Sequence, residues 1–396
     1  MSEKKIGIVT VTDINNFGSH LQSFALQQVL LKLGYDTEII NSKGLKYMIK
    51  KKRLIYVIQH FYDIREMKSY FGKAWKTLAK LVDKDFKLII QKRNEFFKVF
   101  AYKAYLFSLD IKKWDDLSDY IKKHYSTVVV GSDQIWRPAN IAGGFYTLEF
   151  VPSEVNKVAY SSSFGIQHVV SSQKEKAKFF LGRINHISLR ENSGCRIVKE
   201  LIGQDCPVVC DPTILFDKKQ WLSFIEDYSQ INISEICKDP YILCYFLGTN
   251  HTSREFALRL KKETGYRIVS LLYGEGRYYK EKDYFYDESI TFAGPLDFVN
   301  LISHASFVCT DSFHGCAFSI IFGKQFYAFY KSKSGTKMSV NDRLDTMLGW
   351  ASLNDRIISN FSDDKDLSMM IDYSMVDENV ERIRAFSMQF IKDSLR

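Results

Sequence analysis

The sequence predicts an α/β protein of two Rossmann-like domains, and three stretches carry that prediction. Residues 6–11 are a short β-branched run. After a polar loop, Leu21, Phe24, Ala25, Val29, Leu30 and Leu33 recur at helical spacing up to Gly34, and residues 37–40 read as a second strand. This is a βαβ opening of Rossmann type. A second α/β unit starts with the apolar run 241–246. Near the end, an apolar strand over 305–309 runs into Thr310-Asp311-Ser312-Phe313-His314-Gly315, and residues 316–322 read as a buried helix stopped by Gly323. A chain of 396 residues is long for a single core, which makes two domains the expectation.

The intervening elements follow in order. Residues 45–124 are basic and aromatic, with helices predicted near 50–71, 72–105 and 111–124. Short strands are predicted at 127–130, 158–160, 187–189 and 208–210. A helix over 253–264 ends at Gly265, and a strand occupies 267–272. Pro295 stands where a helix starts. A strand is predicted at 325–329, and helices at 341–359 and 376–395. The expected organisation is a first domain, 1–214, with a helical basic insertion at about 45–124. A linker, 215–240, leads to a second domain, 241–345. C-terminal helices, 346–396, then pack back on the first domain. The first polar loop is not GxGxxG, which gives dinucleotide binding little support.

Composition narrows the class. Hydrophobic content of 46% with 6 prolines argues against disorder. Seven cysteines without a CxxC pair point to a reducing compartment and small buried side chains, not to a disulfide frame or a zinc site. No cluster has metal-ligand spacing, so neither a metal nor a cofactor is expected. The first residues lack a signal-peptide core, and no apolar run approaches the ~20 residues of a membrane span. A cytoplasmic protein is expected, with peripheral attachment to the inner face of the membrane as an option. The net charge of +9 is uneven, because residues 43–124 carry 21 Lys+Arg against 9 Asp+Glu. There, Tyr47, Ile49, Leu54, Ile55, Val57, Ile58 and Phe61 make an apolar stripe beside Lys50, Lys51, Lys52 and Arg53. That pattern fits a helix lying on anionic lipid, or a helix with an ordinary solvated face. No nucleic-acid motif accompanies the charge, and no nucleic-acid partner is expected.

The stretch 310–315 sits where a strand ends and a helix begins. Ligands in open α/β sheets bind at such ends, and a helix N-terminus offers free N–H groups to an anion. His314, with an ordinary pKa near working pH, is the candidate to move a proton there.

Several motifs then add up. They are Asn16-Phe17-Gly18-Ser19 with Leu21-Gln22, Val130-Gly131-Ser132-Asp133-Gln134-Ile135-Trp136, Ser162-Ser163-Phe164-Gly165, Ser188-Leu189-Arg190-Glu191, Asp211-Pro212-Thr213, and Asp311-Ser312-Phe313-His314-Gly315 with Gly323. Through them the chain resembles the polysaccharide pyruvyl transferases over most of its length outside roughly 42–124. The resemblance implies a two-domain fold in a GT-B-like arrangement with the site between domains. It implies transfer of a pyruvyl group from phosphoenolpyruvate to a sugar, lipid-linked or part of a capsule or exopolysaccharide, with formation of a ketal and release of phosphate. Many members carry Arg two residues before the motif His, where this chain has Ser312. Arg190, Lys331, Lys337 and Arg343 are the cations available to replace it. The competing readings are a GT-B-like glycosyltransferase using a nucleotide sugar, and a non-catalytic glycan- or lipid-binding protein.

On that reading His314 and Asp133 are the catalytic candidates. Gly18, Ser19, Arg190, Thr310, Ser312, Gly315 and Lys331 are candidates for the donor and its phosphate, and Asn16 and Trp136 for the acceptor. Each has a plainer alternative. Asp311 orients His314 or caps its helix. Gly18 and Ser19 approach a phosphate or make a turn. Asp133 takes a sugar hydroxyl or closes an Asx turn. Trp136 stacks on a sugar or fills the core. Arg190 clamps a carboxylate in two-pronged fashion or pairs with a structural acid. Asp211 reads as a structural turn, and His20, His168, His186 and His304 have no partner pattern.

Overall fold

The computed structural model describes residues 5–59, 83–248, 250–272, 285–331, 341–359 and 370–396. Phe61, Lys337 and the parts of the expected helices over 60–82 lie outside the described residues. Strands β1 (Lys5–Val9), β2 (Thr37–Ile39), β3 (Tyr125–Val130), β4 (Asn156–Ser162) and β5 (His186–Leu189) form a parallel sheet in the order β2-β1-β3-β4-β5. Helix α1 (Phe17–Lys32) joins β1 to β2, and α2 (Lys46–Gln59), α3 (Lys84–Ala104) and α4 (Asp115–His124) lie between β2 and β3. Helices α5 (Pro138–Gly143), α6 (Lys174–Leu181) and α7 (Asn192–Ile202) follow β3, β4 and β5, and α8 (Lys218–Tyr228) leads onward.

The second sheet is also parallel, in the order β11-β10-β9-β6-β7-β8. Its strands are β6 (Tyr241–Tyr245), β7 (Arg267–Leu271), β8 (Glu288–Ile290), β9 (Phe307–Thr310), β10 (Gln325–Phe329) and β11 (Ile357–Ile358). Helices α9 (His251–Thr264), α10 (Pro295–His304), α11 (Phe313–Ile321), α12 (Asp342–Trp350) and α13 (Tyr373–Ser394) complete it. Parallel strands are covered on both faces, which is why β6 and β9 are buried at every residue instead of alternating. The result is an α/β fold with two parallel sheets.

Helix ends follow local chemistry. Asn16 caps α1 by accepting the Ser19 N–H (3.1 Å). Gly203 and Gly265, with φ of 70° and 71°, close α7 and α9 in the left-handed conformation.

Three expectations need correction. The stretch 215–240 is not a bare linker, because Asp217 and Gln220 form a reciprocal capping box that starts α8. Residues 341–359 are not one helix. Helix α12 stops at Trp350, Ser352 turns the chain at a φ of 59°, and β11 pairs with β10. The second sheet therefore extends beyond residue 345.

One apolar cluster links the sheets, running from Ile6 and Ile8 through Phe298 and Val308 to Ile391. Its seam is Phe17, which stacks on Phe97 (5.3 Å between ring centres) and Phe298 (5.1 Å) and leans on Tyr245 (5.7 Å). Helix α13 reaches back to the first sheet. Ser387 Oγ accepts the Cys210 N–H (2.9 Å), Arg384 Nε donates to the Ile214 carbonyl (2.8 Å), and the Ser394 carbonyl accepts from Asn156 (2.8 Å). The strand ends of both sheets thus face a shared seam.

His20, on the same helix as Phe17, is buried. Its Nε2 donates to the Ile14 carbonyl (3.0 Å), which leaves Nδ1 to accept from the Tyr105 hydroxyl (2.9 Å). Burial lowers its pKa from 6.5 to about 4, outweighing the raising effects of Ile14 and Asp13. The folded state thus holds His20 neutral, while the unfolded chain takes up a proton below pH 6.5. Stability contributed by the neutral ring is present above pH 6.5 and declines as pH falls to about 4. At ~1.4 kcal/mol per pH unit the loss is at most about 3 kcal/mol. Urea unfolding at pH 7 and pH 5 measures this. The wild type should lose more stability between the two than His20→Gln, and equal losses would show that His20 does not carry the dependence.

Candidate active site

The carboxyl ends of strands from both sheets meet around His314. This histidine is the second residue of α11, which Ser312 caps by accepting the Gly315 N–H (3.4 Å). Gly315 is required by packing, since a Cβ there would lie 2.6 Å from Thr310 Oγ1. Thr310 itself donates to the Tyr245 carbonyl (2.7 Å) and accepts the Ser312 N–H (3.1 Å). Thr310, Ser312 and Gly315 therefore build the turn that presents His314, and the hydroxyls of the first two are engaged. The α11 terminus still offers the Phe313 and His314 N–H groups, which by helix geometry have no partner within the helix.

The first domain supplies the other side. Gly18, in the first turn of α1, lies flat against the imidazole, and a Cβ built on it would fall inside the ring. Next to it the Ser19 hydroxyl donates to Asp133 Oδ2 (2.5 Å). Asp133 Oδ1 accepts the Gln134 N–H (2.8 Å) and an Arg190 Nη2–H (3.4 Å). Asp133 has a φ of 71° at the end of β3, a conformation that aspartate tolerates better than most residues.

Asp211 is the centre of the constellation and is almost wholly inaccessible. Its Oδ1 accepts the N–H (3.1 Å) and the hydroxyl (2.8 Å) of Thr213. Its Oδ2 accepts from Arg190 Nη1 (2.8 Å), and Ser132 Oγ (3.1 Å) and His314 Nε2 (3.6 Å) lie beside it. Burial alone would raise the Asp211 carboxyl. The His314 ring, then Arg190 and the Thr213 N–H, outweigh it and hold the group well below the usual carboxylate range. For Asp133 burial is again opposed, by Arg190 first, then His314 and Ser19, and the pKa falls to about 2.

Two guanidinium groups flank Phe313. Arg190 stands 4.6 Å from the ring centre and Arg343, on α12, 6.0 Å. The Nη atoms of Arg190 are both committed to carboxylates. Both arginines keep a buried Nε without a hydrogen-bond partner, but Arg343 has no carboxylate within 4 Å among the described residues, whereas Arg190 has two. Burial and the neighbouring Arg190 lower its pKa to about 10, which leaves it a cation at neutral pH. Glu191 is buried beside them, accepting the Phe164 N–H (3.1 Å), and burial raises its pKa. Lys331, exposed at the end of β10, shares a cavity of about 20 Å³ with Asp311, Phe313 and Arg343.

Gly18, Ser19, Asp133, Arg190, Ser312, Gly315 and His314 come together as the motifs led one to expect, although several have different partners. Arg190 is not an open two-pronged clamp, since Asp211 and Asp133 occupy it. Asp133 has its lone pairs taken and a low pKa, which makes it a poor base. Asp311 neither orients His314 nor caps α11. It accepts the Leu247 (2.6 Å) and Gly248 (2.5 Å) N–H groups and pins the β6–α9 loop. Trp136 is fully buried against Phe164 and Phe180, with its Nε1 donating to the Tyr146 carbonyl (3.0 Å), and has no face to offer a sugar. Asn16 is spent on the cap of α1. Asp211 is the residue that sequence reasoning passed over. A polar residue ending an apolar run, as at Asp133 and Arg190, was the signal that could have found it. Among the described residues no group of three or more His, Cys, Asp or Glu side chains is placed to hold a metal ion, and no helix is long and apolar enough to cross a membrane.

Gly18→Ala isolates the contact across the seam. Alanine favours a helix over glycine by about 1 kcal/mol, so a loss of function must come from the collision with His314. The variant should remain folded by circular dichroism and lose binding or turnover at this site by at least tenfold. Unchanged function would place His314 outside the working site.

The comparisons bear on identity. Among solved structures, the UDP-GlcNAc 2-epimerase from Neisseria meningitidis bound to UDP-GlcNAc is similar at 9% identity, over 99% of both chains, with a TM-score of 0.49. The UDP-GlcNAc 2-epimerase from Methanocaldococcus jannaschii matches at 11% identity, over 95% of this chain and 91% of that one, with a TM-score of 0.47. An alpha-glucosyltransferase in complex with UDP and a 13-mer DNA matches at 10% identity, over 98% and 96%, with a TM-score of 0.44. No curated protein matches the chain. The model of the family described as polysaccharide pyruvyl transferase matches residues 16–332, spanning every motif from the Asn16 cap to the β10 end. With most of its length inside that match, Asp133, Arg190, Asp211 and His314 included, the chain belongs to the polysaccharide pyruvyl transferase family.

Proposed function

We propose that the protein transfers the pyruvyl group of phosphoenolpyruvate to a sugar as a ketal, with His314 as the acid and base. The observation that carries this is His314 held between Gly18 and the Asp211 carboxylate, with its Nε2 unspent. The ionised Asp211 carboxylate, 3.6 Å from Nε2, is placed to offset positive charge on the ring during proton transfer. His314 then gives its proton to the methylene carbon of the donor. Positive charge develops at the adjacent carbon, and a sugar hydroxyl attacks it, returning a proton to His314. A second hydroxyl displaces phosphate, its proton leaving through His314 or with the phosphate. One donor and two hydroxyls thus yield the ketal and inorganic phosphate. No separate base is required, which suits an Asp133 that is already committed.

The donor is a trianion at most pH values, and Ser312 stands where many family members carry Arg. Arg343 is the best replacement. It is cationic, no carboxylate lies within 4 Å of it among the described residues, and it stands 6.0 Å from the ring of Phe313, the residue before His314. Lys331 and the α11 N–H groups add to the phosphate side.

Calorimetric titration tests the donor. The wild type should bind phosphoenolpyruvate and prefer it to nucleotide sugars, and Arg343→Ala should weaken it by tenfold or more, the loss of one charge-assisted contact. Preference for a nucleotide sugar would favour a glycosyltransferase. Equal binding by Arg343→Ala would remove this arginine from the donor site.

A further inference from the structure

A second cavity, about 540 Å³, opens on the first domain between the β1–α1 loop, α2 and α3. That size is ordinary for a ligand site. Lys43, Lys46, Lys50, Arg53 and Lys98 line it, with Asp13 as the one acidic lining residue among the described residues. Lys46, Lys50 and Arg53 recur at i, i+4 and i+7 of α2, which puts them on one face over about 10 Å. Lys98 faces them from α3. Of the five cations, only Lys46 has a carboxylate within 4 Å among the described residues, Asp13 at 3.9 Å. Arg53 is backed by Gly143 and Tyr146, and its buried Nε has no partner. Phe97, Phe107 and Phe145 provide apolar wall.

A surplus of cations gathered into a concave site with apolar walls focuses positive potential there and concentrates anions. A stripe of about 10 Å, with four charges in excess, suits more than one phosphate. The cavity also communicates with the reaction centre through one loop. Asp13 and Asn15 line the cavity, Asn16 caps the helix that follows, and the first turn of that helix brings Gly18 to His314 and Ser19 to Asp133. Asn15 is tied to Asn94 of α3, which fixes the loop between the two sites.

The geometry points to a diphosphate site for the acceptor: the cavity holds the diphosphate that carries the sugar, and the loop places the sugar's hydroxyls at His314. The assignment rests on the proposed transfer, but its cations lie in 43–124, away from the motif residues. The diphosphate belongs either to a lipid carrier or to a nucleotide.

Calorimetry on the full chain with inorganic pyrophosphate, farnesyl diphosphate and a uridine diphosphate sugar, without divalent cations, tests it. The Lys46→Ala/Lys50→Ala double variant changes two side chains outside the reaction centre. It should raise the dissociation constant for pyrophosphate at least tenfold and leave phosphoenolpyruvate affinity unchanged. Wild-type binding should weaken steeply with salt. Tighter binding of farnesyl diphosphate than of the uridine diphosphate sugar assigns a lipid carrier, and the reverse order assigns a nucleotide. Pyrophosphate that does not bind the wild type, or binds the double variant equally, overturns the site. Failure of phosphoenolpyruvate alone to bind would overturn the donor reading and leave the diphosphate site standing.

Discussion

The arrangement depends on one buried carboxylate. Asp211 meets Arg190 from the end of β5, Ser132 from the end of β3, its own downstream turn at Thr213, and His314 from the other domain. An ionised carboxylate removed from water is costly unless its lone pairs are filled by donors or cations. Here two first-domain partners, Arg190 and Ser132, are strand-end residues, the third is the turn at Thr213, and the remaining one is a histidine. The buried carboxylate thereby ties the two domains together across the seam. Gly18 fixes the other face of the ring sterically, and Phe313 spaces the two arginines. Removing Asp211 would leave Arg190 with Asp133 alone and His314 with no counter-charge.

The division of labour between the arginines follows from the same accounting. Arg190 neutralises two buried acids and has little left for a ligand. Arg343 arrives on α12, which docks against α7 where Asp342 accepts the Ser193 N–H (2.9 Å). Arg343 is therefore delivered by a helix that also bridges the domains. Ser312 serves as the cap of α11, and on the proposed function the donor's counter-charge comes from Arg343 instead.

Much of this was legible in the sequence. The parallel sheets announced themselves as apolar runs ending in polar clusters, and His314 stood out because a histidine at a strand–helix junction has few structural reasons to be there. What could not be read was pairing across distance. Arg190 was visible as a functional candidate, but its engagement depends on Asp211, which looked like a turn. Trp136 follows a polar loop and left sugar stacking and core packing both open, and the Tyr146 carbonyl that its N–H finds is visible only in the fold. Strand β11 has two residues, too few to leave a pattern. Lys50 and Arg53 read, with Lys51 and Lys52, as one solvated or lipid-facing helix surface, and only the placement of α3 opposite α2 makes a cavity.

The central claim is that His314 moves the proton in pyruvyl transfer, and the most direct measurement is product formation. Purified protein is incubated with phosphoenolpyruvate and diphosphate-linked sugars, phosphate release is followed, and the acceptor is analysed by mass spectrometry for the pyruvate ketal. The account predicts phosphate release that requires an acceptor, a ketal on that acceptor, and loss of both by at least a hundredfold in His314→Ala, the scale of general acid–base catalysis. Ketal formation that survives His314→Ala at the wild-type rate would contradict it.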